Sequence, residues 1–139
     1  MIKVRPAVLK DCAVCANLSK IEELKAPSGW TPTPSYFKQL LKEKQIVVVA
    51  EEGKEIVGYV SGEVLHLKVG MLWFTAVSPA HQGKGVGSLL IKAFEKESKK
   101  RGVRWIVLYA PKFNKKTLNF YEKKGYKKGH EVVEFAKSL

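Results

Sequence analysis

Four consecutive segments between Met71 and Ala110 set most of what this chain can become. Met71–Val77 is an apolar, strand-like run. Val77-Ser78-Pro79-Ala80-His81-Gln82-Gly83-Lys84-Gly85-Val86-Gly87 follows, with alternating glycines. Gly85–Lys100 then places Val86, Leu89, Leu90, Ala93 and Phe94 at i, i+3, i+4, i+7 and i+8, one apolar stripe of a helix. Gly102 ends that helix, and Val103–Ala110 is apolar again. Strand, helix and strand in this order predict a right-handed parallel crossover.

The remaining elements are read around that unit. Ile2–Arg5 alternates as a short strand and Pro6 ends it. Asp11 caps a helix running to about Lys25, with Cys15, Leu18 and Ile21 (or Leu24) on one face. Ala26–Pro34 holds Pro27, Gly29, Pro32 and Pro34 and reads as a loop. Tyr36–Lys44 is a second short helix. Ile46–Ala50 and Glu55–Leu65 form a hairpin across Glu52-Gly53-Lys54. Asn114 caps a helix that stops at Gly125, and Tyr126 onward, through Val132-Val133-Glu134-Phe135, reads as terminal strand. The expected class is α/β, a mixed sheet with helices on both faces. No repeat, linker or low-complexity stretch interrupts residues 1–139, so one domain is expected.

Composition narrows the partners. The 139 residues are 45% hydrophobic, enough for a core without disulfide or metal staples. No apolar run reaches the roughly 18 residues of a membrane span, and no apolar stretch follows Met1, so a cytoplasmic protein without membrane contact is expected. The net charge of +12 suits an anionic partner. Only Arg5, Arg101 and Arg104 are arginines, and the lysines are scattered, so the charge reads mainly as a solvated coat and nucleic acid is not the expected partner. Cys12 and Cys15 form a lone Cys-x-x-Cys at a helix start. Redox chemistry is conceivable there, but Cys15 shares the apolar face with Leu18 and reads as core. His66, His81 and His130 are dispersed, so no metal is expected.

The glycine segment carries the chemistry. A helix N-terminus offers unpaired amides and partial positive charge. Glycines let a phosphate reach that backbone. Gly83, Gly85 and Gly87 are therefore expected to surround a diphosphate-sized anion, with Lys84 and the Ser88 hydroxyl adding charge and a donor. A P-loop needs Ser or Thr after Gly-Lys, and Gly85 stands there. A dinucleotide fingerprint needs one more residue before Gly87.

The spacing Gln82-x-x-Gly85-x-Gly87, with Val77-Ser78-Pro79 before it, resembles the GNAT superfamily of N-acetyltransferases. The strand Val103–Tyr109 also matches, as does the closing block of Asn114 and Phe120-Tyr121-Glu122-Lys123-Lys124-Gly125-Tyr126. The resemblance is strong over about Met71–Lys127 and diffuse before it. It implies a fourth strand that bulges and splays from the fifth, with the pantetheine of acetyl-CoA in the gap. Ala76 and Val77 would bond that arm, and an amide near Val77 would polarise the thioester carbonyl. The diphosphate would sit on Gln82, Gly83, Lys84, Gly85, Val86, Gly87 and Ser88. An acceptor amine would attack the thioester directly. Tyr121 would protonate the departing thiolate, and Asn114 caps its helix or also contacts the cofactor.

The base is less plain. Some family members carry a glutamate where this chain has Met71. Glu63 and His66 are the alternatives, acting directly or through water, while Glu22 and Glu23 are candidates to bind the substrate ammonium. The acceptor pocket is expected from the Ala26–Pro34 loop and the terminal strands, with Trp30, Tyr36 and Trp73 as possible walls. Two other readings stay open: a module of this fold that senses coenzyme A or another anion without catalysis, favoured by Met71, and a nucleic-acid binder, prompted by the charge. The sequence leaves the acceptor and the oligomeric state open, a homodimer included.

Overall fold

Five strands form one sheet in the order β1 (Ile2–Pro6), β2 (Ile46–Glu52), β3 (Glu55–Val64), β4 (Val69–Val77) and β5 (Trp105–Leu108). The first three pairings are antiparallel, and β4 with β5 is parallel, as the crossover requires. The computed structural model describes residues 1–139 as two compact units, Met1–Tyr109 and Ala110–Leu139. The sheet belongs to the first.

Helices α1 (Cys12–Leu18) and α2 (Pro34–Lys42) pack on one face of the sheet and α3 (Val86–Lys100) on the other. Ile46–Ala50 is buried along its whole length, which explains its unbroken β-branched run. Phe37, Tyr59, Val47, Val49, Ala76 and both cysteines form the core under α1 and α2. Val86, Leu90, Ile91 and Phe94 are the apolar residues that α3 buries. Leu89, expected inside, is half exposed and Ile91 takes its place, because the sheet covers an arc turned slightly from the sequence stripe.

α1 ends at Leu18 rather than near Lys25. Ser19 closes it through its hydroxyl, which donates to the Cys15 carbonyl at 2.7 Å and lies 2.6 Å from the Tyr59 hydroxyl. Burial pushes the Cys15 thiol up to about 12, so it remains a protonated core side chain rather than a redox nucleophile. The Cys12 thiol is also raised by burial.

Asp11 does not cap α1 with its side chain. Its carboxylate accepts from Arg5 at 2.8 and 3.2 Å and from the Val8 amide at 2.8 Å, joining β1 to the turn before α1. The Arg5 hydrogen bonds hold this buried carboxyl well below the usual carboxylate range, against the opposing effect of burial. Asp11→Ala is expected to lower stability by about 3 kcal/mol at neutral pH, since it leaves the inward side of a partly buried guanidinium without its partner. The depressed folded pKa makes that contribution complete above the unfolded carboxyl pKa of about 3.9. It is lost as pH falls through the lower folded value. Urea unfolding of both proteins at pH 7 and near pH 2 checks this: the difference should shrink in acid.

In the second unit, α4 (Lys115–Glu122) is capped by Asn114, whose side chain accepts from the Thr117 amide at 3.2 Å. Residues 126–139 form no strand, contrary to the expected terminal element. Val132, Val133 and Phe135 are exposed there, and a strand pattern becomes a strand only where its backbone finds a ladder to join.

Candidate active site

β4 and β5 pair only from Val69↔Trp105 to Leu72↔Leu108. β4 continues to Val77 without that neighbour. At the same point it bulges: Ser61 of β3 faces Phe74 and Gly62 faces Leu72, leaving Trp73 as the extra residue. A gap therefore opens along one edge of β4.

Ladder alternation decides which groups face the gap. Ser78 donates to the Val57 carbonyl at 2.8 Å across β3. Opposed residues alternate between bonded and unbonded pairs, so Ala76 turns its main chain toward Tyr59 and β3. Val77 and Thr75 turn theirs toward the gap. Val77 was anticipated from the sequence; Thr75, rather than Ala76, is the second residue presenting backbone there. The Thr75 hydroxyl is buried without a hydrogen-bond partner.

The glycine loop follows a short 3-10 turn at Pro79–His81. Gly83 and Gly85 adopt φ of +77° and +81°, and an added Cβ at either would meet nothing within 4 Å. Gly85 is the N-cap of α3 and offers no side chain to its first turn. The amides of Gly83, Lys84, Gly85, Val86 and Gly87 find no acceptor within the chain. Lys84 and Ser88 are exposed around them, whereas Val86 is buried and anchors the helix start. Gly87 lies inside the first turn with no positive φ, so its lack of a side chain clears space rather than permits a turn.

Two clasps hold this loop to the sheet. The Gln82 side-chain amide donates to the Val77 carbonyl at 3.1 Å, so its side chain braces the loop on the strand end. His81 lies 2.8 Å through Nδ1 from the Ser78 hydroxyl and 2.8 Å through Nε2 from Glu52 of β2. Nothing in the sequence pointed to this His81–Glu52 link, since the two lie 29 residues apart.

Glu63 stands opposite Met71 in the β3–β4 ladder. The bulged Trp73 donates its indole N–H to Glu63 Oε2 at 2.6 Å. The carboxylate absent from position 71 is thus present on the adjoining strand beside the bulge. His66 stands in the exposed turn beyond β3 and bonds to neither residue. Glu22 pairs with Lys25 at 2.7 Å on the surface, and Glu23 is exposed.

Trp30, Tyr36 and Phe74 pack ring against ring, with centroids 6.4 Å (Trp30–Tyr36), 6.2 Å (Trp30–Phe74) and 5.5 Å (Tyr36–Phe74) apart. The Tyr36 hydroxyl lies 3.2 Å from that of Ser61. Burial pushes its pKa up to about 12, so it stays a neutral hydroxyl. Phe74 and Ser61 were not expected at the site; strand alternation through the bulge was the missing signal.

Tyr121 belongs to the second unit. It is half-buried on α4, with Phe120 and Tyr126 rings at 5.1 and 5.5 Å.

A splayed parallel pair, a bulged fourth strand and a bare-amide loop opening a helix together define an acyltransferase-like scaffold. Residues 15–126 match the acetyltransferase (GNAT) family. The chain is 32% identical over 112 residues to an acetyltransferase of Photorhabdus laumondii, covering 80% of this chain and 78% of that protein. It is also 34% identical over 68 residues to the mycothiol acetyltransferase of Nocardia farcinica, which is 49% of this chain and 22% of that protein. This chain belongs to the GNAT acetyltransferase family. Among solved structures, a transcriptional regulator from Bacillus halodurans superposes with a TM-score of 0.82 at 25% identity, over 99% of this chain and 100% of that one. A Salmonella typhimurium protein solved with its cofactor acetyl-CoA shares the fold, with a TM-score of 0.79 at 20% identity over 98% and 87% of the chains.

No helix is long and apolar enough to cross a membrane.

Proposed function

We propose that this protein moves an acetyl group from acetyl-CoA to a primary amine by direct attack in a ternary complex. The observation that carries the reading is the row of unpartnered amides from Gly83 to Gly87, beside open space at Gly83 and Gly85. Such a row at a helix start suits a diphosphate. The unpaired edge of β4 supports an extended polar arm in the gap. The family match runs across residues of both units, which supports treating 1–139 as one working domain.

Acetyl-CoA, when bound, supplies the acetyl group as an activated thioester. The amides of Gly83–Gly87, with Lys84 and Ser88, hold its diphosphate. Gln82 and Val86 brace that loop from either end. Val77 lies next to the loop, and the vertex of the splay is at Leu72, so an arm seated on the loop passes Val77 before it reaches Thr75. The Thr75 amide is accordingly the donor nearest the reacting carbonyl. Its hydrogen bond strengthens as negative charge develops on that oxygen, the effect that usually dominates such catalysis. Ala76 holds β4 to β3 behind it. Glu63 takes the proton that the acceptor ammonium must lose, directly or through water. Tyr121 returns a proton to the departing sulfur, and Asn114 fixes the start of the helix that carries it.

Calorimetry with acetyl-CoA tests the binding; silence at high micromolar concentration would end the reading. Tyr121→Phe is expected to lower kcat by about a hundredfold, the low end of the range for one proton-transfer group, while the Kd for acetyl-CoA is unchanged. Equal rates would remove Tyr121 from the reaction.

A second reading is a sensor that binds coenzyme A without turnover. It is favoured by Met71 and by the structural relative described as a transcriptional regulator. Saturable binding with no thiol release across a broad amine panel would select it.

A further inference from the structure

We infer that the acceptor carries one positive charge on a flat apolar body, as in an arylalkylamine, and is not a polyamine or aminoglycoside. The inference rests on the acetyl-transfer reading and specifies its second substrate.

The direction of approach comes first. α3 covers one face of β3 and β4: a Cβ on Gly58 would lie 3.2 Å from Leu90, and one on Gly62 2.5 Å from Phe94. The face away from α3 keeps exposed indoles near the bulge and is the side assigned to the acceptor amine. That face carries Glu63, Trp73, Phe74, Tyr36 and Trp30, because the bulge turns Trp73 to the side of Phe74, where its indole meets Glu63.

The chemistry of that face is one carboxylate among rings. Glu63 is the only acidic residue on β3 and β4 apart from Glu55 at the far end of the hairpin. The Trp73 bond fixes its Oε2 and leaves Oε1 for a single ammonium. Trp30 and Trp73 are 45% and 39% exposed, so the aromatic surface is open rather than sealed in the core. Such rings favour an apolar or aromatic body, with added attraction for the cation at their faces. Further positive charges on the acceptor would find no second carboxylate on β3 or β4 near the bulge. Glu22 is already paired with Lys25, and the chain as a whole carries +12. A polycation is therefore repelled both on approach and in place.

The test measures thiol release and acetylated product with 2-phenylethylamine, spermidine and kanamycin at low and at physiological salt. We expect kcat/KM for 2-phenylethylamine to exceed that of both polycations by at least about tenfold, the scale of one ring–cation contact plus one unmatched charge. The gap should narrow as salt screens the repulsion. Trp30→Ala should raise the KM for 2-phenylethylamine by about tenfold with kcat nearly unchanged. Its Kd for acetyl-CoA should match the wild type, which also shows that the variant is folded. A preference for spermidine or kanamycin, an unchanged KM in Trp30→Ala, or acetyl-CoA binding with none of the three amines acetylated would overturn this acceptor class and leave the cofactor reading intact. Failure to bind acetyl-CoA would instead remove the transferase reading and this inference with it.

Discussion

Gly85→Glu is expected to abolish acetyl-CoA binding while leaving the protein folded. Position 85 is the N-cap of α3 with φ of +81°, and a Cβ there meets no atom within 4 Å. The fold therefore loses only about 1 kcal/mol from a side chain held in the left-handed region. Binding loses far more. The glutamate would stand at the mouth of the row of free amides, bring its own negative charge to them, and repel the diphosphate. Losing two charge-assisted hydrogen bonds amounts to at least about 3 kcal/mol, or roughly a hundredfold in Kd. Gly85→Asn separates strain from charge, because asparagine tolerates this backbone and is neutral. Calorimetry should find Gly85→Asn within a few-fold of wild type and Gly85→Glu without measurable heat. Wild-type affinity in Gly85→Glu would mean that the diphosphate does not sit on this loop.

The second large effect falls on stability. Gly62 lies on β3 where α3 presses closest. A Cβ there would collide with the Met71 carbonyl and sit 2.5 Å from the Phe94 ring. Main chain on one side and a fully buried ring on the other leave little that can yield. Gly62→Ala should destabilise by about 3 kcal/mol, the upper end of ordinary overpacking, and lower Tm by roughly 10 °C for a chain of this size. Phe94→Leu in the same background should restore part of the loss if the ring is the obstacle. Differential scanning calorimetry of the wild type and the two variants decides it. An unchanged Tm in Gly62→Ala would mean that β3 and α3 do not approach as described.

Gly62 also illustrates how far local pattern reaches. Its neighbours mark it as part of a strand, and nothing in that pattern marks the close approach of a helix. Helix α3, its glycine entry and the strands on either side were legible, because period, capping and β-branching act over neighbouring residues. Asn114 was legible as a cap for the same reason. Glu63 was one of two candidate bases, with His66. What distinguishes it is the indole of Trp73, ten positions away in sequence and brought close by the bulge. Asp11 was expected to cap α1 and instead holds Arg5, because a buried carboxylate gains more from a guanidinium than from helix amides alone. The terminal strand failed for a related reason: alternation makes a segment able to pair, but a ladder needs a second edge.

The parallel crossover, the glycine-lined helix entry and the family they belong to are all written in residues close together along the chain, and the amino-acid order was enough to specify them. Long-range packing was needed for the rest: which backbone groups of β4 face the gap, how Gln82 and His81 brace the loop, and how the Glu63 carboxylate comes to meet the indole of Trp73. Those are consequences of register, bulge and packing, where a shift of one residue turns a side chain or an amide to the opposite side, and local pattern carries no record of the shift.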